Sequence, residues 1–322
     1  MKMHSKIIWA CVLLLAGATM AQAAVKLPGH LVSPQWLNQH RNEVNIVAVR
    51  SNAATFTKAP TFASSNGNKT LTGFGGHIPG ALLLDFGKAR VPRMVDGRQI
   101  KWLLPDQAEF QKLMREVGVK AGRPTVIVPE GLGGADLDMA ARVYWSMKVY
   151  GDKHLAILNG GTSGWINAGL PVSTAAATAG GGTWTASKAD MRYVASSHDV
   201  ARAIGKAQIV DARPMPFYVG LVKKPNVGAA GHIKGAVNLP PDVRSTESGG
   251  SAHYLTAAEY SKIFPHLGIH SKKPSITYCN TGHLASGAWF VLSEVMGNPN
   301  VKLYDGSMYE WTTEKRPVVG LR

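Results

Sequence analysis

A stretch of roughly 150 residues is written twice in this 322-residue chain, and that repetition limits the fold more than any single motif does. Val44-Asn45-Ile46-Val47-Ala48-Val49-Arg50 returns as Ala207-Gln208-Ile209-Val210-Asp211-Ala212-Arg213. Gly76-His77-Ile78-Pro79-Gly80-Ala81 returns as Gly231-His232-Ile233-Lys234-Gly235-Ala236, and Thr125-Val126-Ile127-Val128 as Ser275-Ile276-Thr277-Tyr278. Leu158-Asn159-Gly160-Gly161-Thr162-Ser163-Gly164-Trp165 returns as Tyr304-Asp305-Gly306-Ser307-Met308-Tyr309-Glu310-Trp311, each followed by a Pro-Val pair, at Pro171 and Pro317. A chain built this way folds as two domains of one topology.

The β-branched runs are short enough to be buried strands. They alternate with helical patterns at Ala108–Val117, Ala140–Tyr150, Ala257–Phe264 and Ala285–Met296. Such alternation favours parallel strands joined by crossover helices that cover both faces of a sheet. The expected fold is therefore α/β, two tandem domains, each a mostly parallel sheet with helices on both faces. Residues 173–190 are rich in Ala, Thr and Gly, with Gly180-Gly181-Gly182 at their centre, and cannot order a core of their own. They read as a linker between a first domain over 24–172 and a second over 191–322.

The chain opens with Lys2 and Lys6, an uncharged apolar run from Ile7 to Gly17, and the small residues of Ala21-Gln22-Ala23. This is the layout of a signal peptide over residues 1–23, and it predicts a periplasmic or secreted protein. The run falls short of the ~20 residues a membrane span needs, so no stable membrane insertion is expected after cleavage. Cys11 leaves with the signal, and Cys279 is then the single cysteine of the mature chain. It cannot form an internal disulfide, and a free thiol in an oxidising compartment hints at chemistry. The formal charge of +15 favours anionic substrates or surfaces. Basic residues are scattered and not interleaved with aromatics, which argues against nucleic acid as a partner.

Tyr278-Cys279-Asn280-Thr281-Gly282-His283-Leu284-Ala285-Ser286 ends a strand and begins a helix. The first amides of a helix lack intrahelical acceptors and carry the positive end of its dipole, so an anion is favoured there. A thiolate at Cys279, or a persulfide made from it, fits that description. Gly282 lets the backbone bend close around the sulfur. His283 is placed to donate a hydrogen bond to a donor molecule or to serve the loop structurally. His77 and His232 recur within a repeated string and read as turn-fixing residues.

These strings resemble the tandem-domain rhodaneses, the thiosulfate and 3-mercaptopyruvate sulfurtransferases, in order and spacing. The resemblance rests on Val210-Asp211-Ala212-Arg213, Gly231-His232-Ile233 through Pro240, Tyr278-Cys279 with Gly282, and Tyr304-Asp305-Gly306-Ser307 with Glu310-Trp311. It implies a sulfane sulfur passed from a small anionic donor to Cys279 and then to a thiol or cyanide acceptor, without a cofactor. It also implies an active-site loop of Asn280, Thr281, Gly282, His283 and Leu284. The first copy has Val128-Pro129-Glu130-Gly131 where the second has Cys279, so it cannot carry the sulfur and is assigned to packing and shaping the cleft. The arginines by which the family holds its donor are absent from the loop before Gly231. Lys223 and Lys224 are the nearest substitutes, and Asp211 and Arg213 are further candidates for substrate binding or for holding the strand end.

Other chemistries fit less well. A cysteine phosphatase needs an arginine six residues after its nucleophile, and position 285 is alanine. One cysteine with dispersed histidines offers no metal site. A cysteine hydrolase needs a base aimed at the thiol, and His283 is too near in sequence to reach back. A non-catalytic persulfide carrier delivering to a partner is the alternative that the sequence leaves open.

Overall fold

The β-branched runs are the central strands of two five-stranded sheets in the computed structural model, which describes residues 25–65, 68–178 and 180–321. The signal reading of residues 1–23 and the place of Cys11 lie outside the described residues. In the first sheet the strands are β1 Leu31–Val32, β2 Asn45–Arg50, β3 Leu82–Asp85, β4 Thr125–Val128 and β5 Leu155–Leu158, in the order β1-β5-β4-β2-β3. In the second they are β6 Val194–Ala195, β7 Gln208–Asp211, β8 Val237–Asn238, β9 Ser275–Tyr278 and β10 Val301–Tyr304, in the matching order β6-β10-β9-β7-β8. Every pairing within both sheets is parallel. Strands buried on both faces are apolar at their centres, and β2, β4, β5, β7 and β9 are buried at every position, with polar residues mostly at their ends.

Equivalent side chains do equivalent work in the two copies. The ring Nδ1 of His77 bonds the Phe56 carbonyl at 2.8 Å and that of His232 bonds the Tyr218 carbonyl at 2.8 Å. Each imidazole also stacks on the aromatic ring of the residue it bonds. Trp165 donates to the Pro171 carbonyl and Trp311 to the Pro317 carbonyl, at 2.8 and 2.9 Å. Arg50 reaches the Gly76 carbonyl, as Arg213 reaches that of Gly231. The repeated strings are thus joints that hold each sheet's edge to its returning chain.

Four helices matter for the site: α1 Gln107–Val117, α2 Gly134–Val149, α3 His283–Phe290 and α4 Ser307–Thr313. The helix predicted from Ala285 starts two residues earlier and passes into a π turn at Val291–Val295. Helix α2 lies against α3, and the inner faces of both sheets share one apolar core that includes Tyr144, Trp145, Trp289 and Phe290. Side chains of this size contribute about 1.5–3 kcal/mol each on burial, enough to weld the two domains. Separate cores line the outer faces of the first and second sheets.

The connecting segment carries no core of its own, yet it is strapped to the first domain. Trp184 and Ala186 are buried there, and Arg115 Nε of α1 donates to the Trp184 carbonyl at 2.9 Å. A β-hairpin also leaves each domain beside its partner: Val91–Val95 with Arg98–Leu103 from the first, and Ser245–Ser248 with Ser251–Tyr254 from the second. No described helix is long and apolar enough to cross a membrane.

Candidate active site

Strand β9 delivers Cys279 to the carboxyl end of the second sheet, where the chain turns through Asn280-Thr281-Gly282 into α3. Two contacts pin the loop against the start of α4: the Met308 amide donates to the Cys279 carbonyl and the Tyr309 amide to that of Asn280, both at 3.0 Å. The Ser307 hydroxyl closes the loop by accepting from the amides of Cys279, at 3.0 Å, and Gly282, at 3.2 Å. Its own proton goes to the Tyr304 carbonyl. The amides of Asn280, Thr281, His283 and Leu284 find no acceptor among the described residues. A set of unpaired N–H groups beside a sulfur is suited to hold negative charge.

Ser307 achieves this at φ +51°, in the left-handed region that costs a non-glycine residue about 1 kcal/mol or more. Its counterpart in the first domain is Gly161 at φ +59°, where a Cβ would meet the Pro129 carbonyl at 2.6 Å. Pro129 stands where Cys279 stands in the second copy, and there the loop backbone fills the space that Ser307 uses. A strained residue that organises the Cys279 loop points to a functional site.

Gly282, the N-cap of α3, has φ +75°. A Cβ on it would lie 2.3 Å from Asp305 Oδ1 and 2.6 Å from Arg142 Nη1. That crowding shows how the first domain enters the site. Arg142, in the middle of α2 and fully buried, grips Asp305 with both of its terminal nitrogens and also donates to the Gly282 carbonyl at 3.3 Å. Asp305 Oδ2 accepts in addition from the Leu104 amide at 2.6 Å.

Of the residues the sequence singled out, Asn280 lies in the loop and its Oδ1 meets Arg213 Nη1 at 3.4 Å. Thr281 is partly exposed and Leu284 packs on the shared core. His283 does not turn toward the sulfur; its ring Nε2 donates across the domain boundary to the Ala135 carbonyl at 2.9 Å, and Phe86 packs against the ring. Burial first, then the Arg90 charge, pushes its pKa down to about 3, so it is a neutral latch.

Asp211 and Arg213 are not free to bind a substrate. Both are buried, the carboxylate is occupied by the guanidinium beside it, and Arg213 spends its remaining donors on Gly231 and Asn280. They brace the loop from behind, because a buried charge needs its partner. Lys223 and Lys224 lie on an exposed segment and form no hydrogen bond or ion pair with the Cys279 loop; Lys224 sits 5.9 Å from the Phe217 ring. The cations that do surround the loop, Arg142 and Arg90, come from the first domain, and so the first copy contributes more than packing. No spacing signal marked either of them in the sequence. Ser307 was legible only as a departure from Gly161 in the repeat.

Cys279 itself is 1% exposed. The cleft that the first copy is expected to shape is closed over this residue. Cavities form elsewhere, one lined by Arg192 and Lys302 and another by His30, Asn159 and His253, and neither includes Cys279. Among the described residues no cluster of His, Cys, Asp and Glu could hold a metal ion.

A lone cysteine at the carboxyl end of a central parallel strand, looped over the start of a helix and duplicated in outline without its sulfur, defines a two-domain protein of the rhodanese fold. Residues 196–314 match the family model described as rhodanese-like domain. The chain is 32% identical over 241 residues to the "Putative thiosulfate sulfurtransferase 1" of Mycobacterium bovis, covering 73% of this chain and 82% of that one. It is 29% identical over 297 residues to the "Sulfur carrier protein TtuD" of Thermus thermophilus, covering 88% and 94%. Among solved structures it is similar to SseA of Escherichia coli, described with the 3-mercaptopyruvate enzymes, with TM-score 0.69 and 27% identity over 87% of this chain and 98% of the other. The chain belongs to the tandem-domain rhodanese family of sulfurtransferases.

Proposed function

We propose that the protein moves a sulfane sulfur from an anionic donor, of the thiosulfate or 3-mercaptopyruvate class, to a thiol or cyanide acceptor through a persulfide on Cys279. The observation that carries this reading is the Cys279 loop: one sulfur, unpaired main-chain amides on the residues that follow it, and arginines behind. In the first half-reaction the Cys279 thiolate attacks the outer sulfur of the donor. A new S–S bond forms and the donor's own bond to that sulfur breaks, its electron pair leaving with sulfite or with the enolate of pyruvate, which takes up a proton. In the second, the acceptor attacks the outer sulfur of the persulfide and the pair returns to Cys279 as thiolate. The loop amides stabilise the charge on sulfur at each stage, in the manner of an oxyanion hole.

A cysteine at 1% exposure must be uncovered before donor or acceptor reaches it. Cys279 belongs to the apolar core that the two domains share, so a small movement at their contact is proposed as part of the cycle. The same burial, together with the likeness to a protein named as a sulfur carrier, supports a second reading in which the persulfide is held for a protein partner. Residues 1–23 are proposed as a cleaved signal that places the protein in the periplasm or outside the cell.

The test is to weigh the intact protein after exposure to each donor. One added sulfur, removed by cyanide and absent from Cys279→Ser, supports the persulfide. Repeated ping-pong turnover with small acceptors separates the enzyme from the carrier, which loads once and stops. A Cys279→Ser variant that still gains sulfur overturns the assignment.

A further inference from the structure

The duplication gives each domain an arginine at the same place, and only one of them has a partner. Arg244 follows the 3-10 turn Pro241–Val243 and precedes the hairpin that begins at Ser245. Arg90 follows the 3-10 turn Phe86–Ala89 and precedes the hairpin that begins at Val91. Arg244 crosses to the first domain and ion-pairs with Asp138 of α2, both groups fully buried. It also donates to the Ala212 and Leu239 carbonyls.

Counting from the N-caps, Gly133 for α2 and Gly282 for α3, the position in α3 that answers to Asp138 is Gly287. A Cβ on Gly287 would come within 1.6 Å of Asp138 Oδ1. The two helices therefore meet at these positions, where there is room for one carboxylate, and Arg244 has it. Arg90 is left without a counterpart acid.

Its surroundings are nevertheless built to hold it. The guanidinium lies 4.3 Å from the centre of the Phe86 ring, and Phe86 packs on His283, four residues beyond the sulfur. Arg90 Nε is buried with no acceptor, and no nitrogen of Arg90 forms a hydrogen bond or ion pair among the described residues. Asp305 and the Cys279 thiol are the acids whose charge acts on it. Asp305 is already taken by Arg142 and the Leu104 amide. The remaining anion is the one that forms at sulfur, or arrives there with the donor.

We infer that Arg90, supplied by the domain without a cysteine, is the anion-recognition residue that draws a sulfonate- or carboxylate-bearing donor to Cys279. The absence of an acid at Gly287 leaves a cation unspent, and that cation sits on the Phe86 ring, which packs against His283 of the Cys279 loop. Burial and the nearby Arg142 charge lower its pKa to about 10, which still leaves it charged at neutral pH and short of anions. Its planar fork suits two oxygens of one anionic group. This inference rests on the sulfurtransferase reading for the identity of the donor, although the charge preference can be measured without sulfur transfer.

The experiment compares alkylation of the full chain by iodoacetate, an anion, and iodoacetamide, its neutral analogue, followed on the Cys279 peptide by mass spectrometry. The rate ratio of anion to neutral reagent is expected to fall about tenfold in Arg90→Met, whose stem keeps the stack on Phe86, and to be largely kept in Arg90→Lys. Arg90→Gln takes the place of Arg90→Met should the latter not fold. A ratio unchanged within twofold in the neutral variant, or a wild-type Cys279 that reacts with neither reagent, overturns the inference. Failure of the wild type to load sulfur from any donor overturns the sulfurtransferase reading instead, and leaves the ratio to decide on Arg90.

Discussion

Arg142 in the first domain holds the carboxylate of Asp305 in the second through paired hydrogen bonds, and from the same guanidinium it reaches the Gly282 carbonyl in the Cys279 loop. The nucleophile's loop is therefore tied to the other domain at the residue where it turns. A two-nitrogen grip fixes direction as well as distance, which a lysine cannot do. The pair is the direct link by which the first domain positions the loop.

Arg142→Leu leaves Asp305 buried and unpaired, which costs roughly 3–5 kcal/mol of stability. Asp305→Asn keeps the shape while removing one charge. Both variants are expected to lower kcat on the order of 10- to 100-fold, since a loop displaced by an ångström loses most of its alignment. Denaturant unfolding and sulfur-transfer kinetics on both measure the two effects, and wild-type kcat in either variant removes the latch from the mechanism.

Gly282→Ala adds a methyl where Asp305 Oδ1 and Arg142 Nη1 lie within 2.6 Å, at a positive φ. The loop has to open or the ion pair has to part. The expected result is a soluble, destabilised protein with sulfur loading reduced at least about tenfold. Loading at the wild-type rate would show that the loop tolerates a wider turn.

Ser307→Ala and Ser307→Gly separate strain from hydrogen bonding. Both remove the acceptor of the Cys279 and Gly282 amides, at a cost of about 1–3 kcal/mol for unsatisfied buried groups. Only glycine relieves the positive φ. Thermal unfolding is expected to rank wild type first, Ser307→Gly second and Ser307→Ala last, with sulfur loading slowed in both variants. Equal loading by all three proteins would refute the role of the hydroxyl.

His283 makes one contribution to the pH dependence of stability. Its pKa is about 3 when folded, because burial and then Arg90 oppose the charge, against an ordinary value near 6.5. Between those values the unfolded chain binds a proton that the folded chain refuses. The contribution is complete above pH 6.5 and is lost as pH falls below it. His283→Gln is expected to reduce the loss between pH 7 and pH 5 by about 1–2 kcal/mol, after discounting for the ring's partial exposure. Chemical denaturation at the two pH values checks this, and parallel acid slopes would contradict it.

The duplication and the parallel α/β architecture could be read from the chain alone, as could the place of Cys279 between a strand and a helix, because each is a local pattern. β-Branched runs report burial, and a cysteine between a strand and Gly282 reports a nucleophile's turn. β-Branched, fully buried strands such as Thr125–Val128 have no other stable home than the middle of a covered sheet.

The partners of the sulfur are a different matter. Arg90 and Arg142 precede Cys279 by more than a hundred residues, and neither sits in a repeated string. They become part of the site only because α2 packs on α3 and brings the first domain's cations beneath the second domain's loop. Lys223 and Lys224 are plausible donors of charge by sequence distance, yet they stay on an exposed loop. Sequence marked Cys279 as the candidate nucleophile, since its place between strand and helix is a local pattern. The docking of two sheets decided which charges surround it, since electrostatic reach is a property of distance in space.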